Sequence, residues 1–123
     1  MKKATKESIK IARHINAWLN EYILSQKSVS NHTLKSYRDT LSLYMKFLQA
    51  EKKIDSSKLC PECFGKTYIE DWLKWLMDKR ACGAETCNNR LAALRAFLSY
   101  LAAEEVDLMH LYFDVSKNEF SPH

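Results

Sequence analysis

A chain of 123 residues is long enough for one domain with a real core, and 46% hydrophobic with 28% charged residues is ordinary for a globular fold. Two Gly and two Pro are too few for the many turns of an all-β fold, so an all-α fold is expected. The net charge of +4 suits an acidic partner without demanding one, and no apolar run approaches the ~18 residues of a membrane span.

Met1 to Lys6 opens the chain as a basic arm, and the lysines lead into an amphipathic stretch rather than the apolar run of a secretory signal. A cytoplasmic location is therefore expected, with reduced thiols and no membrane partner. Ile11, Ile15, Trp18 and Tyr22 follow in steps of four and three, with Leu19 and Ile23 beside them. This period predicts a helix from about Ser8 to Gln26, with Lys10, Arg13, Asn16 and Asn20 off the buried stripe.

Ser28-Val29-Ser30-Asn31 breaks the period. Ser30 is a good N-cap because its hydroxyl can accept an unpaired amide of the first turn. A second helix is predicted from about Asn31 to Glu51, with Leu34, Tyr37, Leu41, Tyr44, Met45 and Leu48 inward. Lys35, Arg38, Ser42 and Lys46 fall on the opposite face.

Residues 52–65 form a long connection carrying Cys60-Pro61-Glu62-Cys63. A third helix is expected from about Lys66 to Lys79, with Ile69, Trp72, Leu73 and Leu76 inward and Trp75 offset from that stripe. Gly83 can end its last turn or cap the next helix. The fourth helix is expected from about Ala84 to Ala103, with Cys87, Leu91, Leu94, Leu98 and Leu101 inward. Leu108, Leu111, Tyr112 and Phe113 suit a short fifth helix in an otherwise acidic, less periodic tail. Short links within each pair predict two helical hairpins packed as a four-helix bundle.

The starts of the second and fourth helices resemble each other. Ser30-Asn31-His32-Thr33 and Gly83-Ala84-Glu85-Thr86 each place a cap-type residue three positions before a Thr and a donor-rich first turn. His32, Thr33, Lys35, Ser36 and Arg38 cluster at the first of these, where the helix dipole also favours an anion. At the second, Asn88, Ala92, Arg95 and Ser99 share a face adjoined by Asn89, Ala93 and Ala96. Alanines permit close approach, while Asn and Arg can bond phosphate or base edges. Double-stranded DNA is the partner this pattern suits, with both clusters expected to face one duplex. The bland alternative is a pair of solvated helix faces.

Thr33-Leu34-x-x-Tyr37, Phe47-Leu48, Tyr68-Ile69-x-x-Trp72-Leu73 and Thr86-x-x-x-Arg90-Leu91-x-x-Leu94-Arg95-x-Phe97-x-x-Tyr100-Leu101 occur in this order. Together they resemble the N-terminal, SAM-like core-binding domain of the tyrosine recombinases, the phage integrase family, over roughly Ser8 to Ala103. The resemblance implies a DNA-binding helical domain that positions duplex DNA for strand exchange performed elsewhere. Carried over by position, the contacts would be His32, Thr33, Lys35, Ser36 and Arg38, and Asn88, Asn89, Arg90 and Arg95, with Arg90 partly structural. Removing charge at Lys35, Arg38 or Arg95 is expected to weaken binding with little loss of fold.

Beside the basic arm at 1–7, the resemblance implies a core-binding domain at 8–104 and a segment at 105–123 leading toward a catalytic domain. It also implies partners, namely that catalytic domain and other recombinase protomers on DNA. Gly83 stands where many relatives have a Ser cap. The family's His-x-x-Arg is absent: His14, His32 and His110 are followed at the third position by Ala17, Lys35 and Phe113. The chain is thus expected not to be an enzyme by itself, and no cofactor is expected.

Two alternatives stand beside this reading. A helical protein-interaction domain would dock a partner through Trp75 and the apolar tail. A zinc module would use the thiol pairs Cys60/Cys63 and Cys82/Cys87, since Cys-Pro-x-Cys resembles a zinc knuckle. Against shared zinc, a helix of about 14 residues rising ~1.5 Å each would separate the pairs by roughly 20 Å. Zinc–thiolate bonds are only ~2.3 Å long. No metal is therefore expected.

Overall fold

The computed structural model describes residues 3–25 and 29–116. Residues 1–2, 26–28 and 117–123 lie outside the described residues, so the expected end of the first helix at Gln26 falls outside them. The fold is all-α, and the described residues form five α-helices: α1 Lys6–Ala17, α2 Asn31–Lys52, α3 Lys66–Arg80, α4 Ala84–Glu104 and α5 Met109–Ser116. The chain divides into two compact units, Met1–Cys63 and Phe64–His123.

In the first unit, α1 starts at Lys6, earlier than its apolar period suggests, because Thr5 caps it. The Thr5 hydroxyl accepts the Ser8 amide at 3.0 Å, and the Ser8 hydroxyl donates to the Thr5 carbonyl at 2.8 Å. The Thr5 amide donates to the Ser57 carbonyl at 3.1 Å, tying this start to a short 3-10 turn at Ser56–Lys58.

After Ala17 the helix widens into a π turn, Trp18–Tyr22, and the Ile23 amide reaches back five residues to the Trp18 carbonyl. The inserted residue rotates everything after it. Trp18 and Ile23 are buried at 2% exposure, while Tyr22 is left 47% exposed. The sequence period places Tyr22 inward; the π turn puts Ile23 there instead.

α2 follows its expected course. The Ser30 hydroxyl accepts the Thr33 amide at 3.1 Å, and Leu41, Tyr44, Phe47 and Leu48 are buried. Burying such side chains stabilises by ~1.5–3 kcal/mol each. Trp18 stacks on Tyr37 of α2 at 4.9 Å between ring centroids. Lys53 ends α2 in the left-handed region at φ 57°, which lets the Lys53 and Ile54 amides both donate to the Leu48 carbonyl. Ile11, Leu59 and Cys63 are buried in this unit as well, and the Tyr44 hydroxyl donates to the Cys63 carbonyl.

In the second unit, α3 buries Ile69, Trp72, Leu73 and Leu76, as its period predicts. It ends like α2, with Ala81 at φ 54° and the Ala81 and Cys82 amides on the Leu76 carbonyl. Ala81 therefore closes α3, leaving Gly83 in extended backbone as the N-cap of α4 without a side-chain bond. α4 buries Cys87, Leu91, Ala93, Leu94, Phe97, Leu98 and Leu101. Phe64 packs on Phe97 at 5.9 Å. Extended Glu105 breaks α4, a 3-10 turn at Val106–Leu108 redirects the chain, and α5 packs back on α3 and α4 through Leu111 and Val115. Among the described residues, no helix is long and apolar enough to cross a membrane.

Candidate nucleic-acid interface

The α2 start presents its polar residues in a graded way. Ser30 spends its hydroxyl on the Thr33 amide and also lies 3.1 Å from the Thr33 hydroxyl, so half-buried Thr33 belongs to the cap. His32 is exposed and Ser36 half-buried. Lys35, 76% exposed, meets Asp39 one turn on at 3.2 Å. An exposed pair of this kind contributes about 0–1 kcal/mol, so a phosphate can displace Asp39 at little cost.

Arg38 is held differently. Its Nη2 donates to Asn20 Oδ1 at 2.8 Å, and Asn20 Nδ2 donates to Asn16 Oδ1 at 2.6 Å. The π turn thus carries Asn20 to α2, where Asn20, itself bonded to Asn16 of α1, orients the guanidinium. Their i,i+4 spacing was the available signal, but the link to Arg38 depends on tertiary packing. Ser42 and Lys46 continue the exposed face. Beside it runs a groove of about 450 Å³ lined by Ile15, Leu19, Leu41, Met45 and Leu59, together with Asn16 and Arg38.

The α4 start is less open than its sequence suggests. Asn89 is exposed, while Asn88 and Arg90 are half-buried. Asn88 Oδ1 is enclosed with no hydrogen-bond partner among the described residues. Ala93, expected beside the contact face, is buried. Arg95 departs furthest from expectation. Its Nε donates to the Val115 carbonyl in the last turn of α5, and its Nη2 is buried. The guanidinium therefore caps a helix C-terminus, where unpaired carbonyls carry partial negative charge. The sequence marks Arg90 as the more structural arginine of the two; the fold gives Arg95 a structural partner as well.

The four cysteines are free. Cys60 and Cys63 Sγ lie 3.3 Å apart. Burial, followed by hydrogen bonds to Cys63 and Glu62, pushes the Cys60 thiol up to about 12. Cys82 lies 3.8 Å from the Arg80 carbonyl, and buried Cys87 lies 4.0 Å from the Leu73 carbonyl. Burial, then the charge of Cys82, raises the Cys87 thiol. Among the described residues, no three His, Cys, Asp or Glu side chains come together as a metal site would require. Half-buried Trp75 carries the Arg80 guanidinium over its ring at 5.5 Å, a cation–π contact.

Residues 15–105 match the family model for the phage integrase N-terminal SAM-like domain, so the chain belongs to that family. The match is to its N-terminal, non-catalytic domain. Two curated relatives from Sinorhizobium fredii (strain NBRC 101917 / NGR234), y4rC and y4rD, each carry the description "Putative integrase/recombinase". The first is 28% identical over 94 residues, covering 76% of this chain and 28% of the relative. The second is 27% identical over 99 residues, covering 80% of this chain and 35% of the relative. The chain thus spans about a third or less of the first and about a third of the second. No solved structure matches it at the same level of significance.

Proposed function

We propose that this chain is the DNA-binding arm of a tyrosine recombinase, positioning duplex DNA for strand exchange by a catalytic domain in a longer parent. The observation that carries this reading is the exposed α2 face of Lys35, Arg38, Ser42 and Lys46, in a chain matching the integrase N-terminal domain. His32 and Ser36 at the same helix start, and Asn88, Asn89 and Arg90 on α4, supply further donors. In this reading Thr33 shapes the cap and Arg95 braces α5, so both support the surface more than they touch DNA. Residues 1–7 would serve as a basic N-terminal region, of which Thr5 to Glu7 already belong to the capped start of α1, with 8–104 as the core-binding domain and 105–123 as the lead toward the catalytic domain. Other protomers on the same DNA are natural partners, and the setting is the cytoplasm.

Lys and Arg would bind by displacing counterions from phosphates, so affinity should fall steeply with salt. Fluorescence anisotropy of a labelled duplex, titrated with the chain across a salt series, tests this. Lys35→Ala with Arg38→Ala should weaken binding and flatten the log–log salt slope by about 1 per lost phosphate contact. Asn89→Ala should weaken binding from the α4 side. Unchanged affinity and slope in all these variants would remove the proposed contacts.

Exposed Val106, Met109 and Phe113 favour a second reading, a surface for a protein partner. Amide-shift mapping with duplex DNA separates the two: shifts at the α2 and α4 starts support DNA, and silence there favours the protein partner.

A further inference from the structure

Cys60-Pro61-Glu62-Cys63 plays no part in the DNA reading, yet its geometry is specific. Pro61–Phe64 forms a 3-10 turn, and the Cys63 amide donates to the Cys60 carbonyl at 3.0 Å, closing it. With three residues per turn, positions i and i+3 eclipse, so the thiols fall on one side and meet at 3.3 Å. A turn closed this way keeps its end Cα atoms within about 7 Å, overlapping the ~4.4–6.8 Å range of disulfides. Pro61 fixes the backbone at the first step of the turn, so little further ordering is needed to join the sulfurs. From α2, the Tyr44 hydroxyl holds the Cys63 carbonyl in place.

Access is asymmetric. Cys63 is only 1% exposed, whereas Cys60 is partly open, so a reagent meets Cys60 first. Metal fits the pair less well than a direct bond. Two thiolates on a tetrahedral zinc with ~2.3 Å bonds sit roughly 3.8 Å apart. These sulfurs are closer, and no third ligand joins them among the described residues.

We propose that Cys60 and Cys63 are a reversible thiol–disulfide site, oxidised by exchange with a low-molecular-weight disulfide such as oxidised glutathione. The Cys60 thiolate, having lost its proton to solvent, attacks one sulfur of the reagent. That forms a mixed disulfide and expels one thiolate. The first expelled thiolate takes a proton from solvent. The Cys63 thiol, giving up its proton to solvent, then attacks Cys60 Sγ, forming the Cys60–Cys63 bond, breaking the mixed disulfide and expelling the second thiolate, which is protonated in turn. Two protein thiols are oxidised by two electrons, and one reagent disulfide is reduced to two thiols. The raised Cys60 thiol makes the first step slow near neutral pH, suiting a site that follows the redox poise rather than a rapid exchange catalyst.

The inference is independent of the DNA reading and is tested without DNA. The 123-residue chain is equilibrated over a range of reduced-to-oxidised glutathione ratios, quenched in acid, then unfolded in denaturant at neutral pH with excess alkylating reagent and analysed by intact mass and peptide mapping. One two-electron transition is expected, with loss of two hydrogens, a mapped Cys60–Cys63 bond, and Cys82 and Cys87 both alkylated. Cys60→Ser should abolish the transition while helix content by far-ultraviolet circular dichroism is unchanged. A fully reduced chain at the most oxidising ratio overturns the proposal. So does a glutathione adduct that persists on Cys60, or a bond involving Cys82 or Cys87.

Discussion

Arg95 of α4 donates from Nε to the carbonyl of Val115, in the last turn of α5. One arginine thereby supplies a cation and a donor to a helix end whose carbonyls have no partner within the helix. Bracing α5 in this way sets Arg95 apart from Lys35, which shares its charge but sits on an open surface.

Replacing Arg95 by Ala should therefore cost about 1–2 kcal/mol of stability, through a lost charge-assisted bond and lost packing of its stem. Arg95→Lys should recover part of that. Lys35→Ala should stay within ~0.5 kcal/mol of the parent. Urea denaturation monitored by circular dichroism compares the three; equal stability of Arg95→Ala and Lys35→Ala would contradict the bracing role.

The π turn makes a sharp contrast between neighbours. Ile23→Ala should cost about 2–5 kcal/mol, as expected for a fully buried isoleucine, while Tyr22→Ala should stay within ~0.5 kcal/mol. A regular helix continuing the sequence period would give the reverse order, so thermal melts of the two variants decide between these geometries.

Gly83 caps α4 with φ −78° and ψ 174°, ordinary extended backbone, and nothing lies within 4 Å of where a Cβ would sit. Gly83→Ser should stabilise by about 0.5–1 kcal/mol, by adding a hydroxyl for a first-turn amide and restricting the unfolded chain. A higher melting temperature is the expected readout; a lower one would mean the site is less open than its backbone indicates.

Cys60 carries a pH signature. Its thiol is raised from about 9 to about 12 in the folded chain, mainly by burial. The folded state therefore holds its proton more tightly than the unfolded state. The associated stability is fully present below about pH 9 and is lost as pH rises toward about 12. Partial exposure tempers its size. Denaturation at pH 8 and at pH 10.5 should show a smaller loss for Cys60→Ser than for the parent. Alkylation of Cys60 should also be slow at pH 8 and accelerate steadily with pH, because only the thiolate reacts.

Local chemistry made much of this chain legible. Ser30 reads as a cap from its hydroxyl alone, and the structure gives it the expected bond to Thr33. The inward sets of α3 and α4 follow from spacing, because a straight helix repeats its buried face every three to four residues. The exposed face of Lys35, Arg38, Ser42 and Lys46 follows from the same rule. Tyr22 was misplaced because a period assumes uniform winding, and a π turn leaves no composition signal in Trp18–Tyr22. The Asn16–Asn20–Arg38 chain was hidden because its last bond joins residues 18 positions apart.

By itself the sequence determined an all-α chain, the course of α2, α3 and α4, and membership of the phage integrase N-terminal family, since helix periodicity and family motifs are written in short-range spacing. Tertiary structure alone decided which polar side chains remain available. Arg38 is oriented by Asn20, Arg95 is committed to Val115, and Cys60 is set against Cys63. A hydrogen bond depends on where packing brings its partner, and for Arg38 and Arg95 that partner lies on a different element.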